Sequence, residues 1–160
     1  MDLGVSIQVE ARTFAEARRL LDAYVTFDAA PLLEEIAALG ESQTRRRISE
    51  EKTAPDGTPW APNRAGTPIL TETGQHLLAS LAFHSSGEEA VWGAAWEHAH
   101  VHQEGAVITA KSAPFLTFFA GGKFISKKSV TIPARPFVGL SDDNRDEIED
   151  LVTDHFGRLR

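Results

Sequence analysis

The chain contains no cysteine among its 160 residues. Disulfides, thiol chemistry and cysteine-ligated zinc are therefore excluded. No apolar run approaches the roughly 18 residues that a membrane-spanning helix needs, so we expect no membrane partner. The first residues also lack the basic region and apolar stretch of a secretion signal, which indicates synthesis and use in a cytoplasm.

Acidic residues are missing from one long segment, residues 105–141, although the whole chain carries a net charge of −7. This segment holds five of the 16 basic residues, which are Lys111, Lys123, Lys127, Lys128 and Arg135. The rest of the chain carries the other 11 basic residues and all 23 acidic ones. A basic segment on an acidic molecule favours attraction to a second copy or to another acidic neighbour. The alternative is a solvated hairpin with ordinary surface lysines.

Hydrophobic periodicity predicts helices near both ends of the chain and antiparallel strands between them. Residues 14–25, 31–52 and 142–156 are predicted helices, and their predicted caps are Thr13, Asp28 and Ser141. The predicted strands cover residues 3–9, 81–85, 90–94, 107–110, 115–119 and 124–132. Residues 96–104 fit either a strand or a short helix.

These elements predict one α+β domain over residues 1–160, with a small antiparallel sheet and a protruding hairpin packed against N-terminal and C-terminal helices. Residues 1–27 form an N-terminal extension of a strand and a helix in this interpretation. Residues 106–132 form a hairpin rich in lysine and phenylalanine. We see no internal repeat or interdomain linker.

Phe118 and Phe119 are adjacent on a predicted strand of this hairpin. Adjacent strand residues face opposite sides, so one of the two rings should be exposed or covered by a partner. We therefore predict an apolar docking surface here, with Lys123, Lys127 and Lys128 at the same assembly interface. The alternative is that these phenylalanines belong to the core, which is their usual location.

Two proline-bracketed loops, residues 54–62 and 132–140, hold large side chains between rigid turns. Trp60 and Phe137 would be anchors that either pack onto their own subunit or fill a pocket of a neighbour. Arg135 lies between two prolines and could make a forked contact with a carboxylate at an interface. Three further arginines, residues 45–47, lie near a helix C-terminus, where cations interact favourably with the helix dipole.

His98, His100 and His102 offer a candidate metal site. On a strand all three rings would face one side, whereas on a helix only His98 and His102 would share a face. No carboxylate at a characteristic spacing completes a ligand set. The favoured interpretation is therefore that these histidines are hydrogen-bonded or solvated polar groups, with no metal and no cofactor.

Four segments, in order, resemble the phage virion morphogenesis family, the tail completion proteins of Mu-type and P2-type phages. The segments are Arg45–Ile48 with Pro55–Pro62, Leu70–Gly74 with Ser80-Leu81, His102–Gly105, and Ile132–Ser141. The resemblance spans about residues 30–156, and residues before Asp28 are less recognisable.

The resemblance implies a non-enzymatic structural protein of the phage tail or neck, assembled in the bacterial host cytoplasm. Such a protein would complete or terminate the tail, or join head to tail, as an oligomeric ring of identical copies. Its partners would be the tail tube and neck or connector proteins, and DNA could pass through without specific binding. The sequence leaves two alternatives open. One is a metal-dependent enzyme that uses the histidine cluster, and the other is a DNA-binding module that uses the lysine hairpin and the three arginines.

Overall fold

A computed structural model describes residues 11–63, 66–71, 75–120 and 122–158. Five α-helices and six strands are present in these ranges. The helices are α1 (Ala11–Val25), α2 (Ala30–Arg46), α3 (Gln75–Ala79), α4 (Ala99–Glu104) and α5 (Asp142–Gly157). The strands are β1 (Leu81–Ser85), β2 (Ala90–Ala94), β3 (Ala106–Thr109), β4 (Leu116–Ala120), β5 (Lys123–Lys127) and β6 (Ser129–Ile132).

The strands pair as three antiparallel two-stranded sheets, which are β1–β2, β3–β6 and β4–β5. In β1–β2, Leu81 lies opposite Ala94 and Ser85 opposite Ala90. The other two sheets follow one another along a single extended ribbon, because β4–β5 continues outward from β3–β6. We call this ribbon, residues 106–132, the arm. The α+β class predicted from the sequence is confirmed.

Helix α2 packs against β1, β2 and α5. Its contact with β2 depends on Gly40, because a Cβ atom at this position would lie only 2.4 Å from the ring of Trp92. Glycine costs about 1 kcal/mol relative to alanine in a helix. At position 40 the absence of a side chain lets the indole ring of Trp92 contact the helix backbone directly. The buried core cluster comprises Ile48, Trp60, Leu70, Leu77, Leu81, Ala99 and Phe137.

Helix α2 has the predicted proline in its first turn, but its N-cap is Ala29 instead of the predicted Asp28. Asp28 lies one residue before the N-cap, and its carboxylate accepts from the backbone N–H of Ala30 at 3.0 Å. The helix then continues into a π-helical turn, Arg47–Glu51, which ends at Lys52 in the left-handed conformation with φ of 58°. Ser141 caps α5 as predicted. Its hydroxyl accepts from the backbone N–H of Asn144 at 3.2 Å, and the Asn144 side chain accepts from the N–H of Ser141.

Other boundaries differ from those predicted. Helix α1 begins at Ala11, so Thr13 lies inside the helix instead of capping it. Residues 99–104 are helical, which resolves the ambiguous segment. The single strand predicted for residues 124–132 is divided at Lys128 into β5 and β6, because each half pairs with a different partner. The predicted strand over residues 3–9 lies outside the described residues.

The α-helices in the described ranges include none that combines the length and apolarity required to cross a bilayer.

Candidate assembly site

The two proline-bracketed loops contact each other, and the side chains of Trp60 and Phe137 point into the core. Trp60 is buried, and its indole Nε1–H donates to the carbonyl of Pro136 at 3.1 Å. Pro55 packs on Gly139, where a Cβ atom would lie 2.6 Å from the proline ring. Phe137 is buried in the same cluster. Trp60 and Phe137 could pack onto their own subunit or fill a pocket of a neighbour, and in the described subunit both side chains pack onto their own subunit.

Arg135 holds the second loop to the first. Its Nε and Nη2 both donate to the carbonyl of Ala61, at 3.1 and 2.8 Å, and Nη2 also donates to Asn63 Oδ1 at 2.9 Å. The backbone N–H of Arg135 donates to the carbonyl of His102 at 2.7 Å. Burial lowers the pKa of its guanidinium. The prediction of a forked contact with a carboxylate is thus corrected: the fork closes on a backbone carbonyl and an amide of the same subunit.

Gln103 joins α4 to the same loop. Its side-chain oxygen accepts from the backbone N–H groups of Phe137 and Val138, at 3.0 and 3.1 Å, and its amide donates to the carbonyl of Val138 at 3.0 Å. The next turn needs Gly105, which has φ of 75° and whose Cβ would lie 2.7 Å from the backbone nitrogen of Ala134. One glutamine therefore satisfies three backbone groups of an irregular segment, which would otherwise be unpaired in the interior.

Arg47 is almost completely enclosed, with 1% of its surface exposed. Its Nη1 donates to the carbonyls of Phe137 and Gly139, at 3.2 and 2.7 Å, and its Nη2 donates to the side chain of Asn144 at the start of α5. Burial lowers its pKa, which Glu51 at 3.7 Å partly offsets. Arg45 and Arg46 remain in the last turn of α2 as predicted, but Arg47 has a different role because it points inward.

We call the set of Arg47, Trp60, Gln103, Arg135 and Phe137 the brace; Gln103 is half-buried and the other four are buried. Each member either ties a loop to a helix or fills the space between the two loops. Three of the four segments that carry the family resemblance therefore contribute to the brace. They do not form an open pocket or a reactive centre in the described structure.

The arm exposes several large apolar side chains. Phe119 and Phe124 lie opposite each other near its tip, 63% and 80% exposed. Their rings contact edge to face, with centroids 5.2 Å apart. Phe118 is on the other side of the ribbon and is half-buried, so the two adjacent rings face opposite sides. Strands β4 and β5 pack chiefly on each other. The lysines of the arm, residues 111, 123, 127 and 128, are all exposed.

Helix α5 carries an acidic face, whose charge is opposite to that of the arm. Six of its seven acidic residues are exposed. Between α5 and α2 there is an open groove of about 650 Å³, lined by Glu35, Ala38, Leu39, Glu147, Asp150, Leu151, Asp154 and Arg158. The same molecule thus presents a basic apolar arm and an acidic groove with an apolar floor.

The family model for phage virion morphogenesis matches residues 10–157. The chain belongs to this family. A relative from Haemophilus influenzae, named Mu-like prophage FluMu G protein 2, is 28% identical over 158 residues. The alignment covers 96% of this chain and 98% of the relative. No solved structure matches the chain. The family match includes α1, which the resemblance in the sequence segments alone did not reach.

In this family member the three histidines do not form a ligand set. Helix α4 replaces the strand that would have aligned all three rings. Trp96 instead organises them: His102 stacks on the indole at 5.7 Å, and His98 contacts its edge at 5.3 Å. His100 Nδ1 lies 2.8 Å from the carbonyl of Glu97. The described residues include no group of three or more histidines, aspartates or glutamates placed to hold a metal ion.

Several of these contacts could not be read from the sequence. Helical spacing places Arg47 on the same face as Gln43 and Ile48, but nothing in the sequence assigned it a role different from that of the two arginines before it. Gln103 was part of a recognised segment, but its role required knowledge of which loop lies against α4. Gly40 lies within the predicted helix over residues 31–52, and its role as a close-packing position depends on where Trp92 lies. A glycine inside an otherwise regular helix was the available signal for close approach of another side chain.

Proposed function

We propose that this protein is a non-enzymatic tail-completion or head–tail joining component that acts as an oligomeric ring in the tail or neck of the virion. Its membership of the virion morphogenesis family and its Mu-like prophage relative support a role in phage virion assembly. Tail tube and neck proteins would be its neighbours, and DNA would pass through the ring without sequence recognition.

The observation that carries the proposal is the arm. A ribbon with two largely exposed phenylalanines and four exposed lysines is poorly suited to an isolated subunit, because exposed apolar patches mark interaction sites. The arm and the acidic groove are different surfaces of one chain. Contacts between different surfaces of identical copies are heterologous, and they close into rings when the rotation between copies permits.

The altered pKa values of the described side chains have structural explanations. Burial lowers the pKa of Arg47, Arg135 and Lys52. Each of these cations donates to backbone carbonyls: Lys52, for example, donates to the carbonyl of Ile69 at 2.9 Å. Strongly perturbed groups often mark catalytic sites, but ion-pair and hydrogen-bond networks of the fold produce them as well. Here the perturbed cations hold loops in place, which agrees with a structural role.

The experiment that tests this function is deletion of the gene from an inducible phage, followed by electron microscopy of the particles. We expect full heads separated from tails, or tails of irregular length, and we expect recovery when the wild-type chain is supplied in trans. The double variant His98→Ala/His100→Ala should restore particles as well as the wild type does, because both side chains are exposed. Normal infectious particles without the gene would refute the proposal. Failure of the double variant to restore them, despite normal folding, would favour the metal-dependent alternative.

A further inference from the structure

We propose that the tip of the arm of one copy docks in the groove between α2 and α5 of the next copy. This inference rests on the ring in the proposed function, and it names the two surfaces that would make the ring contact.

The groove has the character of a docking site. Its floor is formed by half-buried apolar side chains from both helices, Ala38 and Leu39 of α2 and Leu151 of α5. Its rim carries four carboxylates and one arginine. An apolar floor surrounded by charged residues is the arrangement of a protein–protein contact, with burial at the centre and polar groups at the edge.

Part of the negative charge at the rim is not used within the subunit. Glu147 accepts from Arg46 and Gln43, each at 2.8 Å, and Glu35 lies 3.6 Å from Arg158. The carboxylates of Asp150 and Asp154 have no hydrogen bond or ion pair with any of the residues that the structure describes. They are therefore available to cations from outside the subunit.

The arm tip has the complementary properties. Phe119 and Phe124 form an exposed aromatic pair, and their β-strands carry Lys123 and Lys127 without any acidic residue. Lys123 and Lys127 lie on one face of the ribbon and the aromatic pair lies on the other, because side chains alternate along a strand. Their long flexible stems can still bring the ammonium groups to a rim that surrounds the ribbon. The aromatic pair would cover the apolar floor.

Charge selects the arm over the other exposed apolar element of the chain. Helix α1 also exposes apolar side chains, including Phe14, Leu21 and Val25. However, α1 carries three arginines together with two acidic residues, whereas the arm carries lysines alone. An acidic rim discriminates between these occupants, because complementary potentials guide association and like charges oppose it.

The first experiment uses site-specific cross-linking, which the cysteine-free chain permits without background. Ser126→Cys in the arm and Asp154→Cys at the groove rim are placed on two chains of different tagged length, and the chains are mixed and oxidised. We expect a cross-linked product of mixed length. A control pairs Ser126→Cys with Ser86→Cys in the β1–β2 turn, and no mixed product is expected from it. A mixed product of equal yield in the control, or none in the test pair at low salt, would overturn the proposal.

The second experiment measures self-association of the full chain by sedimentation. Lys123→Glu/Lys127→Glu and Phe124→Ser should each weaken association by about 10- to 100-fold, because rim repulsion or lost aromatic burial acts directly on the contact. Adding Asp150→Lys/Asp154→Lys to the lysine variant should restore much of the affinity. Phe14→Ser, which removes an exposed phenylalanine from α1, is the matched control and should leave association unchanged.

The outcomes separate the inference from the proposed function. Loss of association in Phe14→Ser but not in Phe124→Ser would assign the contact to α1 and overturn the arm inference. The proposed function would stand if the deletion phenotype in particles remained. Association that is unchanged in every arm variant, or a wild-type chain that stays monomeric at high concentration and low salt, would also overturn the inference. Normal infectious particles formed without the gene would refute the proposed function itself.

Discussion

Arg47→Met is expected to destabilise the protein by about 3–5 kcal/mol, the range found when one partner is removed from a buried charged network. Methionine fills a similar volume but leaves the carbonyls of Phe137 and Gly139 and the side chain of Asn144 without their donor. Each buried acceptor without a partner costs about 1–3 kcal/mol. Removing the guanidinium also removes the cost of burying its charge, which offsets part of the destabilisation. Two of the three acceptors are backbone carbonyls, so no second substitution can remove them.

The assay is urea unfolding followed by tryptophan fluorescence, in which Trp60 reports on the core beside Arg47. A single domain of this kind has a free energy of unfolding of about 5–15 kcal/mol, so the expected change is a large fraction of the total. Arg47→Lys keeps the charge but loses the forked geometry, and it should give an intermediate loss. Arg45→Ala is the matched control at an exposed ion pair with Glu41, and it should cost about 1 kcal/mol or less.

A loss below about 1 kcal/mol for Arg47→Met, or a loss equal to that of Arg45→Ala, would refute the reasoning. The buried hydrogen bonds of Arg47 would then contribute no more than a surface ion pair does. The brace would then be held by its other members, through the hydrogen bonds of Gln103 and Arg135 and the apolar contacts of Trp60 and Phe137.

Three further predictions concern stability. Gly40→Ala should destabilise the protein by about 1–3 kcal/mol despite the better helix propensity of alanine, because the added methyl group overlaps Trp92. Adding Trp92→Leu should recover part of this loss in the same urea assay. Ser141→Ala should cost about 1 kcal/mol and Ser141→Asp much less, and equal losses in thermal unfolding would contradict the capping role. Burial, with Arg135 and His98 contributing, lowers the pKa of His102. As pH falls below about 6.5, the unfolded chain therefore binds a proton at His102 more readily than the folded chain does, so the free energy of unfolding should decrease. His102→Phe should flatten this dependence of stability on pH. The same dependence in the variant as in the wild type would contradict the prediction.

The sequence predicted the elements of the fold where a local pattern was sufficient. The helices α2 and α5 showed regular apolar spacing with recognisable first turns, and the hairpin β1–β2 was bounded by turn residues. The arm was predicted as one hairpin, but its division at Lys128 depends on which strand pairs with which half. Pairing across residues 106–132 is a non-local property, and local propensity does not contain it.

The brace was less accessible from sequence than the arm. Composition and strand alternation predicted exposed lysines and one exposed ring of Phe118 and Phe119, whereas the pairing of Phe119 with Phe124 came from the structure. The placement of Arg47 and Gln103 follows from long-range packing, since their partners lie more than 30 residues away in the chain. Of the three neighbouring arginines, Arg47 turns inward because it continues at helical spacing the buried face that carries Gly40 and Gln43.

The connection between β6 and the brace has a mechanical consequence. The last strand of the arm runs directly into Pro133 and Arg135, and Arg135 is bonded to α4 through its backbone and to residues 61 and 63 through its side chain. Tension applied to the tip would therefore pass along β6 into the centre of the subunit instead of ending at a flexible root. A contact made by the arm would thus load the folded body of the subunit, and its mechanical strength would be limited by the resistance of that body to unfolding.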